Sequence, residues 1–122
     1  MAYNTVSSRR PITVSHCQEI EGTIMNYLDL LAAEIQRTAD PDSKPVDDDL
    51  PLYRQYAVLL LAKGTEVTAE DVHNAWAAWA SDYDPDNRNL LPFKELALSF
   101  QRLDEPYAEA IRTVARRLSA HY

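Results

Sequence analysis

A chain of 122 residues holds one core and is too short for two. Its composition is that of a globular protein, 46% hydrophobic and 25% charged. Twelve Lys and Arg against nineteen Asp and Glu leave a net charge of −7, which excludes the broad basic face that nucleic acid or an anionic membrane would require.

Only two glycines and few strand-like alternations point to an all-α fold. Residues 1–13 are polar and irregular and read as a mobile arm, with residues 14–122 as one helical domain. Arg9 and Arg10 have no apolar stretch behind them, so the start is no signal peptide and a cytoplasmic protein is expected. A first helix is predicted from Ser15 to Thr38, with Ile20, Ile24, Tyr27, Leu28, Leu31 and Ile35 on one face. Its length predicts an apolar face that one protomer leaves partly uncovered, and hence a homodimer through this helix. The acidic, proline-containing stretch Asp40–Asp49 reads as a linker.

Asp49 is placed to cap a second helix, Leu50–Lys63, with Pro51 in its first turn. That helix is apolar on nearly every side, which predicts a central position, and Gly64 supplies a left-handed stop. Its run Ala57–Ala62 is about a third of a membrane span, so no membrane segment is expected. The third helix opens on a capping-box-like sequence, Thr68 to Asp71, with Val67 and Val72 placed to staple over it. Val72, Trp76, Trp79 and Tyr83 then lie within about 60° of arc. A polar turn, Ser81–Asn89, leads to an extended Leu90-Leu91-Pro92-Phe93 segment and a short helix between Lys94 and Phe100. Asp104 is expected to cap the last helix, whose inward stripe is Tyr107, Ile111, Val114 and Leu118. The whole is a compact bundle of four main helices with a short extra helix and an extended proline-containing segment.

The single cysteine, Cys17, excludes an intrachain disulfide, and its neighbour His16 diverges from it by about 100° on a helix. Asp82, Asp84 and Asp86 match the first positions of a calcium loop. Asn87 then replaces its glycine and Phe93 its bidentate glutamate, so no metal and no cofactor are expected. An enzyme would need His73 paired with Asp71 or Asp104. Asp71 is two residues from His73 and points away from it on a helix. At the edge of the apolar stripe, His73 either bonds a loop or faces a groove.

A His followed three residues later by Trp, then a Leu-hydrophobic-Pro-aromatic-x-x-Leu signature, then an Asp, resembles the RyR domain, the repeat named after ryanodine receptors. The matching residues are His73, Trp76, Leu90, Leu91, Pro92, Phe93, Leu96 and Asp104, within residues 66–118. The family's Gly-Trp-x-Tyr-Gly turn is replaced here by Asp82–Asp86, and its basic residue four after the Trp is Ala80. The first 65 residues resemble short proteins of actinobacteria and their phages. The resemblance implies a small non-enzymatic binding module, taking a nucleotide-type ligand or a protein partner. The expected site is a groove where His73 and Trp76 meet Phe93, with Asp104 orienting the ligand and Arg112 or Arg116 holding an anion. The alternative is a phage or bacterial assembly or host-interaction protein that acts through protein contacts alone.

Overall fold

Asn26 marks the start of the first helix. Its Oδ1 accepts from Asp29 N at 2.9 Å, and Asp29 Oδ2 accepts from Asn26 N at 3.3 Å. This reciprocal cap satisfies two N–H groups that a helix start leaves open. In the computed structural model, which describes residues 17–20, 23–42 and 49–119, α1 therefore spans Tyr27–Ala39 and not Ser15–Thr38. Upstream, β1 (Cys17–Ile20) and β2 (Thr23–Asn26) pair antiparallel, with Cys17 opposite Asn26 and Ile20 opposite Thr23. Ile20 and Ile24 thus leave the helical stripe. The sequence carries the reason: Gly22 inside a helix would cost about 1 kcal/mol, and Thr23 and Ile24 are β-branched. The arm expected over 1–13, His16, the linker residues 43–48 and His121 lie outside the described residues.

Helix α1 buries Ala32, Ile35 and Gln36, while Tyr27, expected on the inner face, is exposed. Asp40 closes the helix, its N–H donating to Gln36 O at 2.9 Å. Helix α2 spans Leu50–Lys63, the expected bounds, and buries Tyr53, Tyr56, Ala57 and Leu60. Two details differ. Asp49 makes no capping hydrogen bond. The helix is also not wrapped on every side, because α1 and its other neighbours leave Val58 and Leu61 more than half exposed. Gly64 ends it at φ +55° and ψ −123°, its N–H donating to Leu60 O.

After a 3₁₀ turn, Gly64–Glu66, helix α3 spans Ala69–Tyr83 behind the expected capping box. Asp71 N donates to Thr68 Oγ1 at 3.2 Å, and Thr68 N donates to Asp71 Oδ2 at 2.9 Å. Val67 and Val72 are buried together beneath it. Burial would raise the Asp71 carboxyl, but hydrogen bonds from Lys63 and Thr68 outweigh it and hold the group below its ordinary value. Tyr83 shares the azimuth of Val72 yet is exposed, because the last turn of α3 overhangs the core. A 3₁₀ turn, Phe93–Glu95, leads to the short α4, Leu98–Leu103, and then to α5, Glu105–Ser119.

Helix α5 buries Ala108, Ala110, Ile111, Val114 and Ala115 and packs against α1, α2, α3 and α4. Its alanines let neighbouring helices approach, and Ile35, Leu60, Val67, Val72, Ile111 and Val114 close the core between them. Arg117 Nη1 donates to Thr38 Oγ1 at 3.2 Å and pairs with Glu34 at 3.3 Å, tying α5 to α1. The result is the all-α bundle of four main helices with a short extra one.

Candidate functional site

One end of this bundle holds a cavity of about 740 Å³. The last turn of α1, the first turns of α2, the middle of α3, Phe100, Arg102 and Leu103 of α4 and the start of α5 converge on it. Tyr53 and Tyr56 lie at i, i+3 on α2 and meet edge to face, 5.4 Å apart at 88°. Tyr107 in the first turn of α5 continues the wall, 6.0 Å from Tyr56. Trp76 and Phe100 complete its aromatic lining.

Buried polar groups face the same space. Gln36, Tyr53 and Tyr56 are 6%, 7% and 3% exposed and line the cavity. Each helix face that carries them is otherwise committed to the core, which is why they are drawn inside. Their side-chain polar atoms make no hydrogen bond to any described residue. Burial, then Tyr107, Asp49 and Asp40, push the Tyr53 phenol up to about 12. The Tyr56 phenol is raised further, by burial first, then by Tyr107, Tyr53 and Asp104. Both are neutral hydroxyls.

His73 is 3% exposed and lies against Trp76 at 5.6 Å and Phe93 at 6.0 Å. Its Nε2 is 2.6 Å from Leu91 O; a carbonyl only accepts, so Nε2 carries the proton and donates. Nδ1 then faces Asp104 Oδ2 at 3.8 Å, an electrostatic contact too long for a hydrogen bond. Burial raises the Asp104 carboxyl, and His73 partly offsets that. Asp104 has helical backbone angles (φ −84°, ψ −20°), so α4 runs into α5 without a break. Its side chain turns to His73 and makes no capping bond to α5. Gln101 Nε2 donates to Phe93 O at 3.0 Å and Leu96 O at 3.1 Å, which fastens the proline-containing segment beside His73.

Of the residues expected at the site, His73, Trp76 and Asp104 line the cavity, and Phe93 stands behind His73. Arg112 and Arg116 are elsewhere. Arg112 lies about 140° around α5 from Tyr107 and donates to Val67 O at 2.7 Å, while pairing with Glu105 at 2.6 Å and Glu109 at 2.9 Å. Arg116 pairs with Glu109 at 2.8 Å. Hydrogen bonds from Arg112 and then Arg116 hold the Glu109 carboxyl below its ordinary value. Sequence reasoning missed Gln36, Tyr53, Tyr56, Phe100, Arg102 and Tyr107. The one available signal was a pair of tyrosines at i, i+3 in an otherwise aliphatic helix.

Asp82, Asp84 and Asp86 form an exposed turn, in which Asn87 Nδ2 donates to Asp84 Oδ2 at 3.1 Å. Among the described residues, no group of three or more His, Cys, Asp and Glu is placed to hold a metal ion. Nor is any described helix long and apolar enough to cross a membrane.

The fold and cavity thus define a small helical domain with an aromatic pocket at one end. The chain belongs to the DUF7701 family, a domain of unknown function, which it matches over residues 26–116. No curated protein and no solved structure matches it significantly. The family match begins at the Asn26 cap and runs through α1, α2, α3 and α4 into α5, making them one unit. This overturns the RyR resemblance, which divided the chain near residue 66. The residues that suggested it have a packing account here, since His73 lies against Phe93 and bonds the Leu91 carbonyl.

Proposed function

We propose that this domain is a non-enzymatic binding module that takes a small ligand with an apolar or planar body into the aromatic pocket. A single cysteine suits the reducing, cytoplasmic setting proposed for it. One observation carries the reading: Tyr53, Tyr56, Trp76, Phe100 and Tyr107 line one cavity of about 740 Å³, with Gln36 in the same wall. A mostly aromatic wall with a few polar groups set in it is the usual lining of a small-molecule site. His73 supports binding over catalysis, since Leu91 O takes one ring nitrogen and Asp104 faces the other. A general base needs a nitrogen within reach of substrate.

Thermal unfolding with nucleotides, cyclic dinucleotides and small aromatic metabolites tests this on wild type, Gln36→Leu and Tyr56→Phe. A ligand at a hundred times its dissociation constant adds about 2.7 kcal/mol. The expected result is a shift in wild type that both variants lose. Without ligand, both variants should melt close to wild type, because neither side chain makes a hydrogen bond to a described residue that the substitution would break. A ligand that shifts all three proteins equally binds elsewhere and sinks the reading, and a panel without a hit favours protein contact instead.

Protein contact has an observation of its own. Tyr27, Val58 and Leu61 are each more than half exposed, beside a groove of about 560 Å³ lined by Leu30, Leu31, Val114 and Leu118. Exposed apolar patches of this kind commonly mark interaction sites. A second copy of the chain is the occupant this reading proposes, and an assembly protein would use such a face.

A further inference from the structure

We propose that the pocket selects an organic cation, an ammonium or methylated ammonium group on an apolar body, and not the anion expected from the sequence. The inference rests on the pocket reading above and names the chemistry of its ligand.

The charges point this way. Asp49 and Asp104 line the cavity, while Arg102 is the single Lys or Arg among the described residues of its lining. The arginines expected to hold an anion are bound to Glu105 and Glu109 on another face of α5. Asp49 makes no capping bond, so the start of α2 does not occupy its carboxylate.

The walls agree with the charges. Tyr53, Tyr56 and Tyr107 form a continuous aromatic surface, with Trp76 in the same lining. Ring faces of Tyr and Trp are electronegative and attract a cation within about 6 Å of the centroid. An anion against the same faces is repelled. The buried Gln36 carbonyl and phenol oxygens can accept from an ammonium N–H. At about 740 Å³ the cavity is far larger than an ammonium group and falls in the range of small-molecule sites. The cation therefore needs an apolar body to fill it.

Three probes that share one ring separate the possibilities: benzyltrimethylammonium, benzyl alcohol and benzoate, titrated by calorimetry and NMR. The cation is expected to bind about tenfold tighter than the other two. Asp49→Asn should weaken the cation several-fold and leave benzyl alcohol unchanged, whereas Arg102→Ala should tighten the cation. Asparagine suits a helix start and Arg102 is exposed, so both variants are expected to melt like wild type. Tightest binding by benzoate, lost in Arg102→Ala, overturns the cation assignment and leaves the pocket reading standing. Equal binding of the cation by wild type and Asp49→Asn overturns the assignment too. If none of the three binds at millimolar concentration the assignment also fails, and the thermal panel decides the pocket reading separately.

Discussion

Asp104 stands where a helix would use it as a cap, and its carboxylate instead faces His73. The two residues are a small electrostatic device whose geometry is set from outside. Leu91 O holds Nε2 as a donor, so Nδ1 is the nitrogen that faces the carboxylate at 3.8 Å. Burial raises the Asp104 carboxyl above its ordinary 3.8, with His73 opposing. A carboxyl raised by folding binds protons more tightly in the native state. Its contribution to stability is therefore complete below 3.8 and is lost as pH rises through the folded value. Asp104→Asn lacks this titration. The unfolding free energy of wild type minus that of the variant should fall as pH rises above 3.8 in denaturant melts. A difference that rises over that range would show the carboxylate to be stabilised by its surroundings, and the account would fail. The role of His73 was half legible in the sequence: its place at the edge of the apolar stripe left a loop bond or a groove open, and it has both. Arg112 was not legible, because Val67 O, 45 positions away, draws it off the site.

At the level of elements, legibility followed the strength of the local signals. Helix α3 carries a cap, a box and a staple that point to one start, and it begins there. The start of α1 was misread because Ile20 and Ile24 sit four apart, a spacing that extends a helical stripe even though the segment forms strands. Tyr53 and Tyr56 were read as part of an apolar cylinder. The hydroxyls matter only once α5 and α4 close the cavity around them, which is tertiary information. The junction between α2 and α3 gives a test of how far local geometry determines the fold. Gly64 has φ +55° and ψ −123°, and a Cβ added there meets nothing within 4 Å. The cost of Gly64→Ala is thus backbone strain alone, about 1–3 kcal/mol in urea unfolding. Asn should not rescue it, because Asn tolerates the left-handed helical region and this ψ lies outside it. Thr68→Ala should cost about 1 kcal/mol through the lost cap, without changing the slope of unfolding against urea. Losses below about 0.5 kcal/mol for both would mean that the core holds this junction without its local signals.

Across the whole molecule the net charge of −7 is unevenly placed, and the two ends of the bundle differ in what they invite. Asp40, Asp49 and Asp104 gather at the pocket end. The groove between α1, α2 and α5 is apolar, and its charged rim is Glu34 with Arg117, already paired at 3.3 Å. Long-range repulsion between two chains of −7 opposes association, while the groove itself presents little charge to a second copy. Helix α1 has 13 residues, so the face offered is shorter than the helix expected from Ser15. Its apolar area is extended by Val58 and Leu61 of α2, which no described element covers. Self-association through this face should therefore be weak at low salt and strengthen as salt screens the overall charge, because burial of apolar surface does not depend on that charge. Sedimentation at tens of micromolar protein should show mass rising with concentration and with added salt. Leu61→Glu replaces a side chain that is 54% exposed, so it should stay folded and remain a monomer under the same conditions. A wild type that is monomeric throughout would sink the dimer. Association that weakens with salt would assign the contact to charge, and Leu61→Glu would then leave the mass unchanged.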